Sequence, residues 1–364
     1  MPKKIRVGIL FGGKSVEHEV SLRSASNVIA ALDRKKYTPV LIGIDKGGHW
    51  QTGQDLLGSG VSAMSALAQE GQHHVTLTPA NAGQLVPLSA GAKRESLQSV
   101  DVVFPILHGP LGEDGTVQGL LKLAGVPFVG ASVLGSAIGM DKDVMKRLLR
   151  EAGLPVAKFI TLRKGEPCSY RETVRVLGSP LFVKPANTGS SVGISKVKRA
   201  KDFKEAVRVA FTYDTKVIIE ESIVGQEIEC AVLGNHKPIA SIPGEVIPTH
   251  EFYSYEAKYL DEQGARIEIP ARLTRQQVKA VQLLAKRVFK TLECSGLGRV
   301  DFFLTPRGKW YVNEINTLPG FTSISMYPKL FEATGIPYAE LIDRLIMLAL
   351  ERFEEEEQLA TSRL

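Results

Sequence analysis

The sequence predicts a mixed α/β and α+β chain, with a Rossmann-like N-terminal domain followed by two further lobes. Its 364 residues exceed the size at which one hydrophobic core keeps growing, so two or three domains are expected. Over 6–139, short apolar strands (RVGILF, YTPVLIGI, DVVFPIL) alternate with helical segments, the signature of a parallel sheet with crossover helices. Beyond Pro155, strands and helices follow in an α+β order. Boundaries are placed to give domains at 1–140, 141–222 and 223–364.

The elements follow in chain order. The N-terminus MPKKIRVGILFGG reads as a first strand rather than a signal peptide. The glycine- and alanine-rich stretch 53–93 lacks periodicity and reads as surface insertion and loop. Met140-Asp141-Lys142 opens a helix that Gly153 and Pro155 stop. Strands are expected at 181–184 and 216–220, with a helix from Lys201 to about Ala210 between them. Further strands fall near 226–234, 237–243, 298–304 and 309–314, with a helix at 274–292 and another at the end. Val278, Val281, Ala285, Val288 and Leu292 recur at three- and four-residue steps, so one face of the 274–292 helix packs inward.

Composition excludes several classes. Hydrophobic residues at 44% and charged residues at 23% are ordinary for a globular protein. No stretch approaches the roughly 20 apolar residues of a membrane span, so a cytoplasmic protein is expected. Cys168, Cys230 and Cys294 lack metal-ligand or disulfide spacing and read as buried apolar residues. The net charge of +6 is dispersed without an aromatic-basic module, which argues against nucleic acid and suits a polyanionic small substrate. Glu354 to Glu357 reads as a solvated last turn.

The most informative stretch is GLGRVDFFLTPRGKWYVNEINTLPGFTSISMYP, residues 296–328. Thr305-Pro306-Arg307-Gly308 suits a tight reversal, so 300–304 and 310–315 should pair as a hairpin. Glu314 and Asn316, two apart on a strand, share a face, and Asp301 joins them if the register cooperates. Such a set of hard oxygens suits Mg²⁺ shared with phosphates; the alternative is exposed polar positions of an antiparallel sheet. Arg299 and the loop around Gly320 would add a guanidinium and backbone N–H donors for a developing oxyanion.

Two segments suit phosphate. In LFVKPANTGSSVGI a lysine, Lys184, ends a strand before a loop of small residues including Gly189, Ser190, Ser191 and Gly193. This is not a P-loop, and a flexible hairpin turn is the alternative. Lys142 opens a helix, where a cation is disfavoured unless an anion offsets the cost. Glu220 and Glu221, ending an apolar strand, suit an adenine amino group or ribose hydroxyls. After the first strand the spacing of Gly8, Gly12 and Gly13 does not match a dinucleotide fingerprint. Glu17 lies on the loop where open α/β sheets bind ligands and suits a substrate ammonium, and His108 occupies the same kind of place. FYSYEAKYLDEQG, residues 252–264, suits a lid that carries Lys258 and Tyr259.

Together GGKSVEHEVS, HGPLGEDGTVQG, MDK, VKPANTGSSVG, YEAKY, GRVDFFL and NEINTLPGFTSISMYP resemble the D-alanine:D-alanine ligases of the ATP-grasp superfamily, in the family's order from residue 5 to about 350. The resemblance implies a two-lobed ATP-grasp fold after the Rossmann-like domain, and ATP-dependent joining of two D-alanines through an acyl phosphate. It implies ATP with two Mg²⁺ (or Mn²⁺) and a homodimer. Residue by residue, it implies that Glu17 binds the first ammonium in a triad with Ser190 and Tyr259. Lys142, Lys184 and Lys258 match the phosphate lysines, Glu220 and Glu227 the acids contacting adenosine, and Glu221 and Ile223 lie beside them. Asp301, Glu314 and Asn316 match the metal ligands, and Arg299 and the Gly320 N–H the oxyanion donors. Ser325 and the Met326 N–H match the site of the second carboxylate, and His108 lies on the substrate side. Glu221 departs from relatives that carry lysine there. Tyr259 favours an amine over a hydroxy acid such as D-lactate as acceptor.

Overall fold

A computed structural model describes residues 3–53, 73–79, 82–88, 99–248 and 265–360. The first unit comprises β1 (Ile5–Gly12), α1 (His18–Ala31), β2 (Tyr37–Ile44), β3 (Trp50–Thr52), β4 (His73–Leu77), β5 (Leu85–Pro87), β6 (Val102–Ile106), α2 (Thr116–Leu123) and α3 (Val133–Met140). After α4 (Lys142–Glu151) come β7 (Phe159–Arg163), α5 (Tyr170–Leu177), β8 (Leu181–Pro185), β9 (Ser195–Val197), α6 (Ala200–Tyr213) and β10 (Lys216–Glu221). The rest runs β11 (Gln226–Leu233), β12 (Ile239–Ala240), β13 (Gly244–Pro248), β14 (Ala265–Glu268), α7 (Arg275–Thr291), β15 (Leu297–Leu304), β16 (Trp310–Asn316), α8 (Met326–Ala333) and α9 (Tyr338–Glu357).

Three sheets result, in the orders β5-β4-β3-β2-β1-β6, β7-β10-β8-β9 and β14-β13-β11-β15-β16. In the first, β1 runs parallel to β2 and β6, and its side chains alternate between two layers. Val7, Ile9 and Phe11 pack with α1 and α9, while Leu10 packs with β2 and α2. The first of these cores continues into Ala231, Leu233, Tyr327 and Leu330, so the N-terminal sheet and the last helices bury their apolar faces together. A second core joins the apolar stripe of α7 to α4 and the β11-β15-β16 surface, as the helical periodicity predicts.

Two expectations are corrected. The stretch 53–93 is not all loop, because its described residues include β4 and β5, antiparallel additions that bury Val75, Leu77 and Leu85. Strands this short offer too few residues for an alternation to stand out. The strand expected at 237–243 is only the two-residue β12, and the ladder resumes at β13. Between them the Ser241 hydroxyl accepts the Ala231 N–H at 3.0 Å, and Pro243 has no N–H to donate. The sequence reading also omitted β3, β7, α5, β13, β14 and α8. Cys230 and Cys294 are buried, which pushes both thiols up to about 12, while Cys168 is half-buried.

Candidate functional site

The hairpin expected around 305–308 forms, with Asp301 opposite Glu314 and Arg299 opposite Asn316. Residues opposite each other in a ladder share a face, as do residues two apart along a strand. Asp301, Glu314, Asn316 and Arg299 therefore project together, and Glu229, opposite Asp301 on β11, joins them. A register shift places Phe302 opposite Val312, which leaves Asn313 as an extra residue and turns the chain at the site. Arg299 grips Asp301 with two hydrogen bonds of 2.8 and 2.7 Å and reaches Glu229 at 2.9 Å. Burial opposes the Arg299 charge, but the two carboxylates outweigh it and raise its pKa. The Asn316 side-chain oxygen accepts the Leu318 N–H at 3.1 Å.

Among the described residues no cluster of three or more His, Cys, Asp or Glu is arranged to hold a metal ion. The oxygen face has an asparagine as its third donor, and Asp301 is turned onto Arg299. Its chemistry still fits a hard divalent cation that takes most of its oxygens from phosphates and water.

Facing this hairpin is a lysine-rich cleft lined by Lys146, Phe182, Lys184, Glu220, Glu227 and Phe303, with Glu221, Ile223 and Glu314 on its wall. Glu220 pairs with Lys184 at 2.5 Å and with Lys146 at 2.8 Å. Although burial opposes ionisation, the two lysines hold the Glu220 carboxyl down at about 2. Glu221 also accepts the Lys158 N–H at 2.7 Å. Lys142, the first residue of α4, donates to the Thr188 carbonyl at 2.6 Å and lies 3.8 Å from Glu314, tying the glycine-serine loop to the oxygen face. Burial lowers the Lys142 pKa, with Glu314 opposing. Ser190 and Ser191 both have positive φ, a strained geometry for non-glycine residues.

The same loop reaches the N-terminal sheet. A Cβ on Gly189 would lie 3.8 Å from a Glu17 carboxylate oxygen and 3.9 Å from one of Glu113. Glu17 is only 7% exposed. Gly12, at φ +92°, makes the turn that delivers this loop, and a Cβ there would lie 2.2 Å from the Ile44 carbonyl. His108 donates from Nδ1 to the Leu318 carbonyl at 3.1 Å and lies 3.8 Å from Glu113. Burial lowers the His108 pKa, but Glu113, Glu17 and the Leu318 carbonyl outweigh it, so the net shift is upward. Ser24 accepts the Phe321 N–H at 3.2 Å, so the N-terminal unit holds the 318–321 loop in place. Gly320 approaches Ser325 closely, since a Cβ there would lie 2.7 Å from the serine oxygen. That oxygen accepts the Thr322 N–H instead of capping α8, whose first residue is Met326.

Lys184, Glu220, Glu227 and Glu314 thus share one cleft, with Lys142 against Glu314, Arg299 on Asp301 and Glu17 beside Gly189; His108 contacts Leu318 of the loop that holds Gly320 and Ser325, while Lys258 and Tyr259 lie outside the described residues. The sequence reading missed Glu113, Lys146 and Glu229. Two signals were available: Lys146 is four residues after Lys142 on one helix face, and Glu229 is two after Glu227 on one strand.

Models of two families match, "D-ala D-ala ligase N-terminus" over residues 6–131 and "D-ala D-ala ligase C-terminus" over 148–347. The chain is 51% identical over 365 residues to the D-alanine–D-alanine ligase of Oceanobacillus iheyensis, covering 99% of each chain. It is 50% identical to the D-alanine–D-alanine ligase A of Escherichia coli strain K12, covering 99% of this chain and 100% of that one. The solved D-alanine-D-alanine ligase from Coxiella burnetii superposes with a TM-score of 0.84 at 39% identity, covering 98% of this chain and 96% of that one. The VanG D-Ala:D-Ser ligase from Enterococcus faecalis gives 0.85 at 36%, covering 95% and 100%. Likeness at this level, along essentially the whole chain and with an ATP-grasp architecture in common, means that the chain belongs to the D-alanine–D-alanine ligase family.

Proposed function

We propose that this chain uses ATP to join two D-alanines into D-alanyl-D-alanine for cell-wall synthesis, with an acyl phosphate as intermediate. The observation that carries this reading is the convergence of the Asp301, Glu314 and Asn316 face with Lys142, Lys184 and the 189–193 loop, beside Glu17. Glu17 takes the ammonium of the first D-alanine, and Ser190 steadies the loop above it. The carboxylate of that D-alanine attacks the γ-phosphate while Lys142 and Lys184 hold the phosphate oxygens and Glu220, Glu227 and Ile223 seat the adenosine. Asp301, Glu314 and Asn316 would hold two Mg²⁺ (or Mn²⁺), which supply positive charge to the phosphates when bound. Arg299 and the Gly320 N–H stabilise the oxyanion as the second amine displaces phosphate, and Ser325 with the Met326 N–H holds the second carboxylate. The family resemblance gives Lys258 to the phosphates and Tyr259 to the triad with Glu17 and Ser190; an acyl phosphate must be kept from water.

The three sheets support a division at 1–140, 141–222 and 223–364. No described helix is long and apolar enough to cross a membrane, and a cytoplasmic homodimer is inferred from the family. Incubation with ATP, Mg²⁺ and D-alanine should release phosphate and form the dipeptide. D-serine and D-lactate belong in parallel reactions, since VanG is described as a D-Ala:D-Ser ligase. Product formed only with one of those acceptors would overturn the D-alanine reading.

A further inference from the structure

Lys146 is 1% exposed, on the face of α4 four residues after Lys142, and no role in the proposed reaction falls to it. Its ammonium lies 2.8 Å from one Glu220 oxygen. The other Glu220 oxygen is held by Lys184 at 2.5 Å. Lys184 is more exposed, at 12% of its side chain, and lines the cleft together with Lys146 and Glu220. One carboxylate thus holds two cations, one on each oxygen, and Lys146 is the more deeply buried of the two.

We propose that Lys146 is a positioning residue for nucleotide binding, the resident counter-charge that lets Lys184 leave Glu220 for phosphate without stranding a buried carboxylate. The inference rests on the reading of this cleft as the ATP site. A buried carboxylate that loses its only cation is strongly disfavoured, so a Glu220 with Lys184 alone would resist giving it up. With Lys146 in place, Glu220 stays charged and aimed at the cleft while Lys184 exchanges partners. Because the Lys146 side chain is 1% exposed and its ammonium is paired with Glu220, it acts through that carboxylate and not on the nucleotide.

The test compares Lys146→Met, Glu220→Gln and the double variant in the full-length protein, with steady-state kinetics for ATP and D-alanine separately. Lys146→Met should raise KM for ATP by about tenfold or more, with KM for D-alanine and kcat within about threefold. Lys146→Arg, which keeps the charge, should restore most of the ATP affinity. In the double variant no carboxylate remains to trap Lys184, so its KM for ATP should be no higher than that of Glu220→Gln alone. That comparison decides the matter even if Lys146→Met alone fails to fold. A double variant about tenfold worse than Glu220→Gln would overturn the proposal, because Lys146 would then act independently of Glu220. Wild-type protein that makes no dipeptide would instead refute the functional reading.

Discussion

Glu220 bears two lysines on one buried carboxylate, and this makes it a pH-dependent contributor to stability. Its pKa falls from 4.5 to about 2 on folding. A depressed carboxyl stabilises fully above its unfolded pKa and loses that contribution as pH falls through the folded one, so the window is pH 4.5 to about 2. Glu220→Gln strands the buried Lys146 ammonium, leaves Lys184 without its partner and should cost about 3 kcal/mol near neutral pH, measured by urea unfolding. The gap to wild type should narrow as pH drops across that window; a gap independent of pH would contradict the assignment. Glu314 tests the chemistry instead. Glu314→Gln should lower kcat by about 100-fold while KM for ATP moves less than about threefold, because metal charge matters most in the transition state. Equal losses in both would contradict a metal role.

At the scale of elements, α4 links the phosphate lysines to the central sheet. Asp141 caps it, accepting the Asp143 and Val144 N–H groups at 3.1 and 3.0 Å, and pairs with Lys216 of β10 at 2.5 Å. The cap fixes where Lys142, the next residue, begins its reach. Asp141→Ala removes cap and ion pair together and should cost about 2 kcal/mol, whereas Asp141→Asn should cost less because asparagine still caps. Calorimetry on both variants checks the order, and equal destabilisation would mean that only the ion pair matters. The hairpin β15-β16 was legible because 305–308 is turn-rich and its flanks are apolar. The bulge at Asn313 was not, since a register shift leaves no residue signature.

Across the whole molecule, Arg352 of α9 bridges units far apart in sequence. It donates to the Phe128 carbonyl at 2.8 Å, the Gly130 carbonyl at 2.5 Å and the Ser295 hydroxyl at 2.6 Å, and lies 4.6 Å from the Phe128 ring centroid. Its charge is disfavoured by burial, which lowers its pKa against the pull of Glu356. Arg352→Met keeps much of the volume but leaves buried carbonyls unpaired, so it should cost about 2–4 kcal/mol in denaturant unfolding. The same variant should raise KM for D-alanine, because the N-terminal unit it anchors carries Glu17 and steadies the 318–321 loop through His108. Unchanged KM would mean that the shared core alone sets that geometry.

By itself the sequence determined the strand and helix types with strong periodicity, the hairpin bearing Asp301 and Glu314, and the motif order that carries the family resemblance. Each of these depends on residues close together along the chain, where turn chemistry and side-chain period act directly. Tertiary structure alone decided that Glu17 meets the Gly189 loop, that Glu113 and Glu229 join the site, and that Lys146 and Lys184 share one carboxylate. Those contacts span separate elements, and their distances come from how three sheets pack, which no local pattern encodes.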